Sequence, residues 1–291
     1  TVLFRNKASQ GNPDENPADP EAGAFANKVL EYNPAPSQYM NTSYTAYEEG
    51  FTGIQVLARA TKLLQDRTTC LFTLGGFGGN ITVGFDHTIP NVPGEYDFKI
   101  YGNAYYDMYG TLLDKPGGNS EPGIVLVSKD TNGNGLPDDE WYELAGSEYN
   151  SPATIRNYEI TYYRPTPADG DVKWKDNQGK EGYIYRNTYH TQGSYYPAWM
   201  PAEITFRGSR LADNSINEPR PGMPEHWVGY CYAWGYADNH PNNTEYSQFK
   251  IDWAVDKDGK PVASVKELQK EESLQIRLAD GRVETRILKI E

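Results

Sequence analysis

What most restricts this chain is its punctuation. Short runs rich in Val, Ile, Thr, Tyr and Trp recur along it, and clusters of Gly, Pro, Asn and Asp separate them. Such clusters end strands and build turns, and they leave little room for helices. The runs fall at 96–101, 124–128, 141–145, 158–163, 172–174, 183–186, 203–207, 227–234 and 249–255. One stretch breaks the pattern: Tyr47, Phe51, Ile54, Leu57 and Leu64 are spaced mostly three or four apart, predicting one amphipathic helix within 46–66. Many short strands, one helix and no strand–helix alternation predict an all-β protein, an antiparallel β-sandwich of jelly-roll-like type with long loops.

The chain has 291 residues, enough for one large domain or two modest ones with a real core. Lys and Arg number 27 against 40 Asp and Glu, a net charge of −13. That balance argues against a nucleic-acid groove or an anionic membrane surface, since both ask for a basic face. No apolar run approaches the roughly 18 residues of a spanning helix, so no transmembrane segment is expected. The 23 Tyr outnumber the 9 Phe, with 6 Trp besides. Rings with a polar tip suit half-wet strands and binding faces.

Residues 1–23 are polar, acidic and interrupted by Pro, and read as a flexible N-terminal arm or linker. Residues 24–262 hold the sandwich. Residues 263–291 read as a C-terminal hairpin, of the same domain or appended, with strands 274–278 and 283–287 around Asp280-Gly281. Residues 69–74 and 81–85 flank Gly75-Gly76-Phe77-Gly78-Gly79-Asn80, which reads as a hairpin turn. A phosphate loop is disfavoured, because Lys-Ser/Thr is missing and Ile81 stands where a third glycine belongs. Cys70 and Cys231 permit at most one disulfide and read as two small buried thiols that do not fix a compartment. The opening at Thr1 without Met is taken to mean that a leader or an upstream segment has been removed.

The most specific motif is Asp130-Thr-Asn-Gly-Asn-Gly-Leu-Pro-Asp-Asp-Glu140. Side-chain oxygens recur at Asp130, Asn132 and Asn134, Gly135 permits a sharp turn, Leu136 offers a carbonyl, and Asp138, Asp139 and Glu140 follow. Alternate oxygens folded around a tight turn suit a hard cation, and Ca2+ in a structural role is the expected cofactor. The fit to an EF-hand is imperfect, since Trp141 holds the twelfth position and strands rather than helices flank the loop. Asn-Gly and Pro-Asp are also ordinary turn chemistry, so a metal-free loop stays open.

Two aromatic-polar stretches, 183–199 and 226–240, place flat rings beside Asn, Gln, Asp and His. A sugar or a planar amide-decorated ligand needs that combination: stacking on its face and hydrogen bonds at its edge. The candidate ligand-binding residues are Tyr195, Tyr196, Trp199, Trp227, Trp234, Asn239 and His240. The alternative is that these rings fill the sandwich core with their tips at its rim. No catalytic residue is assigned: the four histidines are far apart, and neither H-E-x-x-H nor G-x-S-x-G occurs. A carboxylate pair for glycoside hydrolysis depends on a separation that sequence does not give.

Leu74–His87 (Leu-Gly-Gly-Phe-Gly-Gly-Asn-Ile-Thr-Val-Gly-Phe-Asp-His) is followed by Tyr-Asp-Phe-Lys-Ile-Tyr-Gly-Asn-Ala-Tyr-Tyr at 96–106. Glu-Pro-Gly-Ile-Val-Leu-Val-Ser (121–128), Trp-Tyr-Glu-Leu-Ala-Gly-Ser-Glu-Tyr (141–149), Tyr-Ala-Asp-Asn-His-Pro-Asn (236–242) and Ile-Asp-Trp-Ala-Val-Asp (251–256) follow in order. This set, across residues 28–262, resembles the secreted cell-surface (lipo)proteins of gut Bacteroidetes. The resemblance implies a sandwich module exposed at the outer-membrane surface, near uptake systems for nutrients that include cobamides. It implies a glycan or small-molecule nutrient as ligand and an outer-membrane transporter as partner. Residues 263–291 depart from that family's usual ending. The leading expectation is a non-catalytic, calcium-stabilised binding module. A glycan-active hydrolase and an adhesive protein-interaction module are the alternatives.

Overall fold

The computed structural model describes residues 25–65, 71–86 and 89–262, together with the backbone of two later strands at 274–279 and 282–283. The N-terminal arm expected at 1–23, Cys70 and His87 lie outside the described residues. The fold is all-β and sandwich-like, with antiparallel sheets and a single α-helix among the described residues.

A six-stranded sheet runs β1 (Lys28–Asn33), β3 (Asn80–Gly84), β17 (Leu274–Ala279), β7 (Ile124–Lys129), β8 (Trp141–Leu144) and β16 (Ala254–Val255). A four-stranded sheet follows the order β11 (Glu181–Ile184), β10 (Val172–Asp176), β9 (Ile155–Tyr163) and β12 (Glu203–Arg210). A third runs β13 (Ser215–Asn217), β14 (Trp227–Tyr230), β6 (Gly117–Asn119) and β5 (Tyr105–Tyr106). Two short pairs join β15 (Gln248–Phe249) to β4 (Phe98–Lys99), and β18 (Arg282–Val283) to β2 (Phe72–Thr73).

Two cores result. The larger gathers Phe72, Leu74, Ile81, Val83, Phe98, Val125, Val127 and Phe249 under the helix α1 (Gly53–Gln65), which contributes Val56, Ala60 and Leu64. Their four-residue spacing puts them on one stripe. The helix starts later than the apolar periodicity because Thr52 caps it. Gln55 Oε1 accepts the Thr52 N–H at 2.9 Å, one half of a capping box. Ile54, counted in that periodicity, points to solvent.

The second core packs Tyr158, Ile160 and Tyr162 of β9 on Ile204 and Phe206 of β12, with Val172, Tyr195 and Tyr196. Alternation does the sorting here. Glu159 and Thr161 face outward, where the Thr161 and Thr205 hydroxyls meet at 2.7 Å and Arg207 Nε donates to Glu159 at 2.5 Å.

Several expectations are corrected. Residues 69–74 and 81–85 do not form a hairpin: β2 pairs with β18, whereas β3 pairs with β1 and β17. Of the C-terminal stretch, β17 lies between β3 and β7 and β18 joins β2, while the turn at Asp280-Gly281 and residues 284–287 of the expected hairpin lie outside the described residues. The run 227–234 stops pairing at Tyr230, and 249–255 is broken by a 3-10 turn at Ile251–Trp253.

The glycine-rich turn instead joins the two cores. Ala35 N donates to Leu74 O at 2.8 Å, and a Cβ on Gly75 (φ +85°) would lie 1.8 Å from Ala35 O. A Cβ on Gly78 (φ +88°) would lie 2.0 Å from Phe206 Cβ. Between them Phe77 meets Tyr158 edge-on at 4.8 Å, and its carbonyl accepts the Tyr162 hydroxyl at 3.1 Å. Only glycine allows both the left-handed turn and the close approach.

Candidate binding site

The 130–140 loop connects β7 to β8 and spends its oxygens on its own backbone. Asp130, buried, accepts from Gly135 N at 2.8 Å and Asn134 N at 3.2 Å. Asn132 Oδ1 accepts from Asn134 N at 2.9 Å, and Asn134 Oδ1 from Leu136 N at 2.7 Å. The acids separate. Asp138 accepts the amide N–H groups of Asn132 and Asn134, Asp139 accepts the Thr131 hydroxyl, and Glu140 accepts the Tyr142 hydroxyl. Among the described residues no three His, Cys, Asp or Glu side chains gather around one point.

The aromatic candidates do not share one face. Tyr195 and Tyr196 are buried in the second core, which is the core-filling alternative that the sequence left open for these rings. Each hydroxyl finds a carbonyl, His190 O at 2.8 Å for Tyr195 and Pro201 O at 2.6 Å for Tyr196. A satisfied tip is what lets a tyrosine leave water. Burial pushes the Tyr196 hydroxyl up to about 12. Trp199 stacks on Tyr47 at 5.3 Å and leans on Tyr32 at 6.4 Å, so it packs against the larger core. Trp227 is exposed on β14, and Trp234 contacts Trp253 at 4.8 Å.

Asn239 and His240 are buried and structural. Asn239 brackets Tyr232, accepting from its N–H at 2.8 Å and donating to its carbonyl at 2.8 Å. His240 has its pKa lowered by burial, which favours the neutral ring. Nε2–H then donates to Tyr232 O at 2.8 Å while Nδ1 accepts the Tyr106 hydroxyl at 2.9 Å.

What the two stretches do build is a cleft of about 500 Å³. It is lined by Gly75, Gly76 and Phe77 of the glycine turn, by Tyr185 and Asn187, and by Arg210, Asp213 and Tyr232. Of the sequence candidates only Tyr195 reaches it, as part of the wall. Tyr185 is 69% exposed and lies 6.0 Å from the Tyr183 ring. Asn187 is held in place by donating to Gln38 Oε1 at 3.0 Å and accepting from His190 N at 2.8 Å. Arg210 pairs with Asp213 at 2.5 Å. Thr73 Oγ1 is a buried wall atom without a hydrogen-bond partner among the described residues. Volume, an exposed ring and fixed polar groups fit a small polar ligand.

A larger hollow of about 1000 Å³ lies against β12, where Arg156 and Glu143 pair with each other. Arg156 there donates to Glu143 at 3.0 Å, Ser209 Oγ at 2.6 Å and Tyr149 O at 2.5 Å.

Sequence reasoning missed Tyr185, Asn187 and Arg210. The signal for Tyr185 was present in the alternation of Tyr183, Ile184 and Tyr185, which puts both tyrosines opposite the isoleucine. No protein-family model matches the sequence, and no curated protein matches it.

Because Trp199 is packed rather than presented, Trp199→Ala is expected to lower stability by about 3 kcal/mol in chemical denaturation. Unchanged stability would show that the Tyr47–Trp199 stack bears no weight.

Proposed function

We propose that this protein is a non-catalytic binding module of the bacterial cell surface that holds a glycan, or a small nutrient such as a cobamide, in the cleft over the glycine turn. The observation that carries this reading is Tyr185, a largely exposed ring beside a concave, polar-walled space of ligand size. The resemblance to Bacteroidetes surface proteins supports an exported location and a partnership with an outer-membrane transporter. The net charge of −13 suits a neutral or cationic ligand better than a polyanion. Among the described residues no helix is long and apolar enough to cross a membrane.

Glu121 and Asp213 both line the cleft, which favours a glycan-active hydrolase as the second reading. A titration of glycans and cyanocobalamin into wild type and Tyr185→Ala separates the possibilities. The binding reading expects one of these ligands to bind wild type and to bind the variant about tenfold more weakly, one stacking contact being worth roughly 1.4 kcal/mol. Equal affinities would remove the cleft from consideration. Sugar products released by wild type and lost in Glu121→Gln would establish the hydrolase.

Calcium belongs to the same proposal as a structural ion. Asp130, Asn132, Asn134, Asp138 and the Leu136 carbonyl form an all-oxygen donor set, the kind a hard cation takes. The Asn132 and Asn134 amides now donate to Asp138. Turning each amide over would present oxygens instead. Wild type is therefore expected to take up one more calcium ion than Asp138→Asn in calorimetric titration. Identical stoichiometry would leave the loop a metal-free turn.

A further inference from the structure

The ring that marks the cleft has a neighbour. Tyr183 and Tyr185 flank Ile184, which packs on the second core, so both rings stand on the outer face of the four-stranded sheet. They are 47% and 69% exposed, their centroids lie 6.0 Å apart, and their planes differ by 38°. Tyr185 lines the cleft and Tyr183 does not, so the pair carries an aromatic surface from inside the cleft to outside it. The backbone is held on both sides of the pair. Tyr183 is in register with Lys173 of β10. Past Tyr185, the Arg186 N–H donates to Asp171 Oδ1 at 2.9 Å, and its guanidinium donates to Gln192 O at 3.1 Å. Lys173 and Glu181 share the outer face with Tyr183 and meet at 3.2 Å.

Two exposed rings on a fixed backbone make a contact surface that a single bound sugar leaves half bare. A rigid planar macrocycle cannot lie flat on both, because their planes are tilted by 38°. A chain of sugars can. Each unit offers an apolar face to a ring and hydroxyls at its edge, and the glycosidic linkage lets successive units turn. The 6.0 Å between the rings is close to the spacing of adjoining units in such a chain. Beside Tyr183, Lys173 supplies a donor and Glu181 an acceptor for those hydroxyls. We propose that the ligand is an uncharged glycan chain, one unit stacked on Tyr185 in the cleft and the next on Tyr183 outside it. This inference rests on the cleft being the binding site.

The test is calorimetric titration of oligosaccharide ladders into wild type, Tyr183→Ala and Tyr185→Ala. The ladders run from one to six units of α-1,4-glucose, β-1,4-glucose or β-1,4-mannose. At least one ladder is expected to bind wild type, with affinity rising about tenfold from one unit to two. Tyr183→Ala is expected to remove that rise and leave the one-unit affinity unchanged, whereas Tyr185→Ala weakens every member. Tyr183 is exposed on an edge strand, so its truncation spares both cores. Tyr183→Phe keeps the ring and is expected to keep the rise. A ladder whose members bind alike, or a rise that survives Tyr183→Ala, would overturn the chain proposal, while a loss in Tyr185→Ala would still uphold the cleft. Cyanocobalamin bound where no ladder binds would do the same. Affinities untouched by Tyr185→Ala, or no binding of any probe, would overturn both.

Discussion

Four glycines and one phenylalanine separate Leu74 from Asn80, and their bare backbone lets two cores share a boundary. Ala35 O and Phe206 Cβ both occupy space that a β-carbon would claim, at Gly75 and Gly78 respectively. Phe77 then points one way, into the second core against Tyr158, while its carbonyl holds the Tyr162 hydroxyl. Gly75, Gly76 and Phe77 of the same turn also line the cleft. Packing between sheets and the shape of the candidate site thus rest on one constraint, the absence of side chains over a few residues.

How much of this was legible depended on whether the deciding partner was local. β9 and β12 alternate cleanly because one face of each is wet, so Tyr158, Ile160, Ile204 and Phe206 announce themselves. β1 escaped notice for a physical reason. Its register shifts between Val29 and Glu31, so the buried Val29 and Tyr32 are three residues apart rather than two. The glycine turn was recognisable as a turn, yet nothing local says that β3 pairs with β1 and β17. Those partners arrive from distant sequence.

The site residues show a similar division. Tyr195 and Tyr196 lie in a loop between β11 and β12, but a loop tyrosine is buried when its hydroxyl reaches a carbonyl, and both do. Asn239 and His240 resemble ligand-binding groups in composition, while in space they clamp the chain at Tyr232. The polar residues left for a ligand are those whose neighbours hold the side chain in place without consuming its whole capacity, as with Asn187. Only coordinates distinguish the two cases.

The claim that one side-chain-free turn couples both cores and shapes the cleft is tested most directly by residue-resolved hydrogen exchange on wild type and Gly78→Ala. The account predicts that amides of β3 and of β9 and β12 lose protection together, since a methyl at Gly78 displaces Phe206 and strains the turn that anchors to Ala35. Faster exchange confined to the 75–79 turn, with β3, β9 and β12 as protected as before, would contradict it.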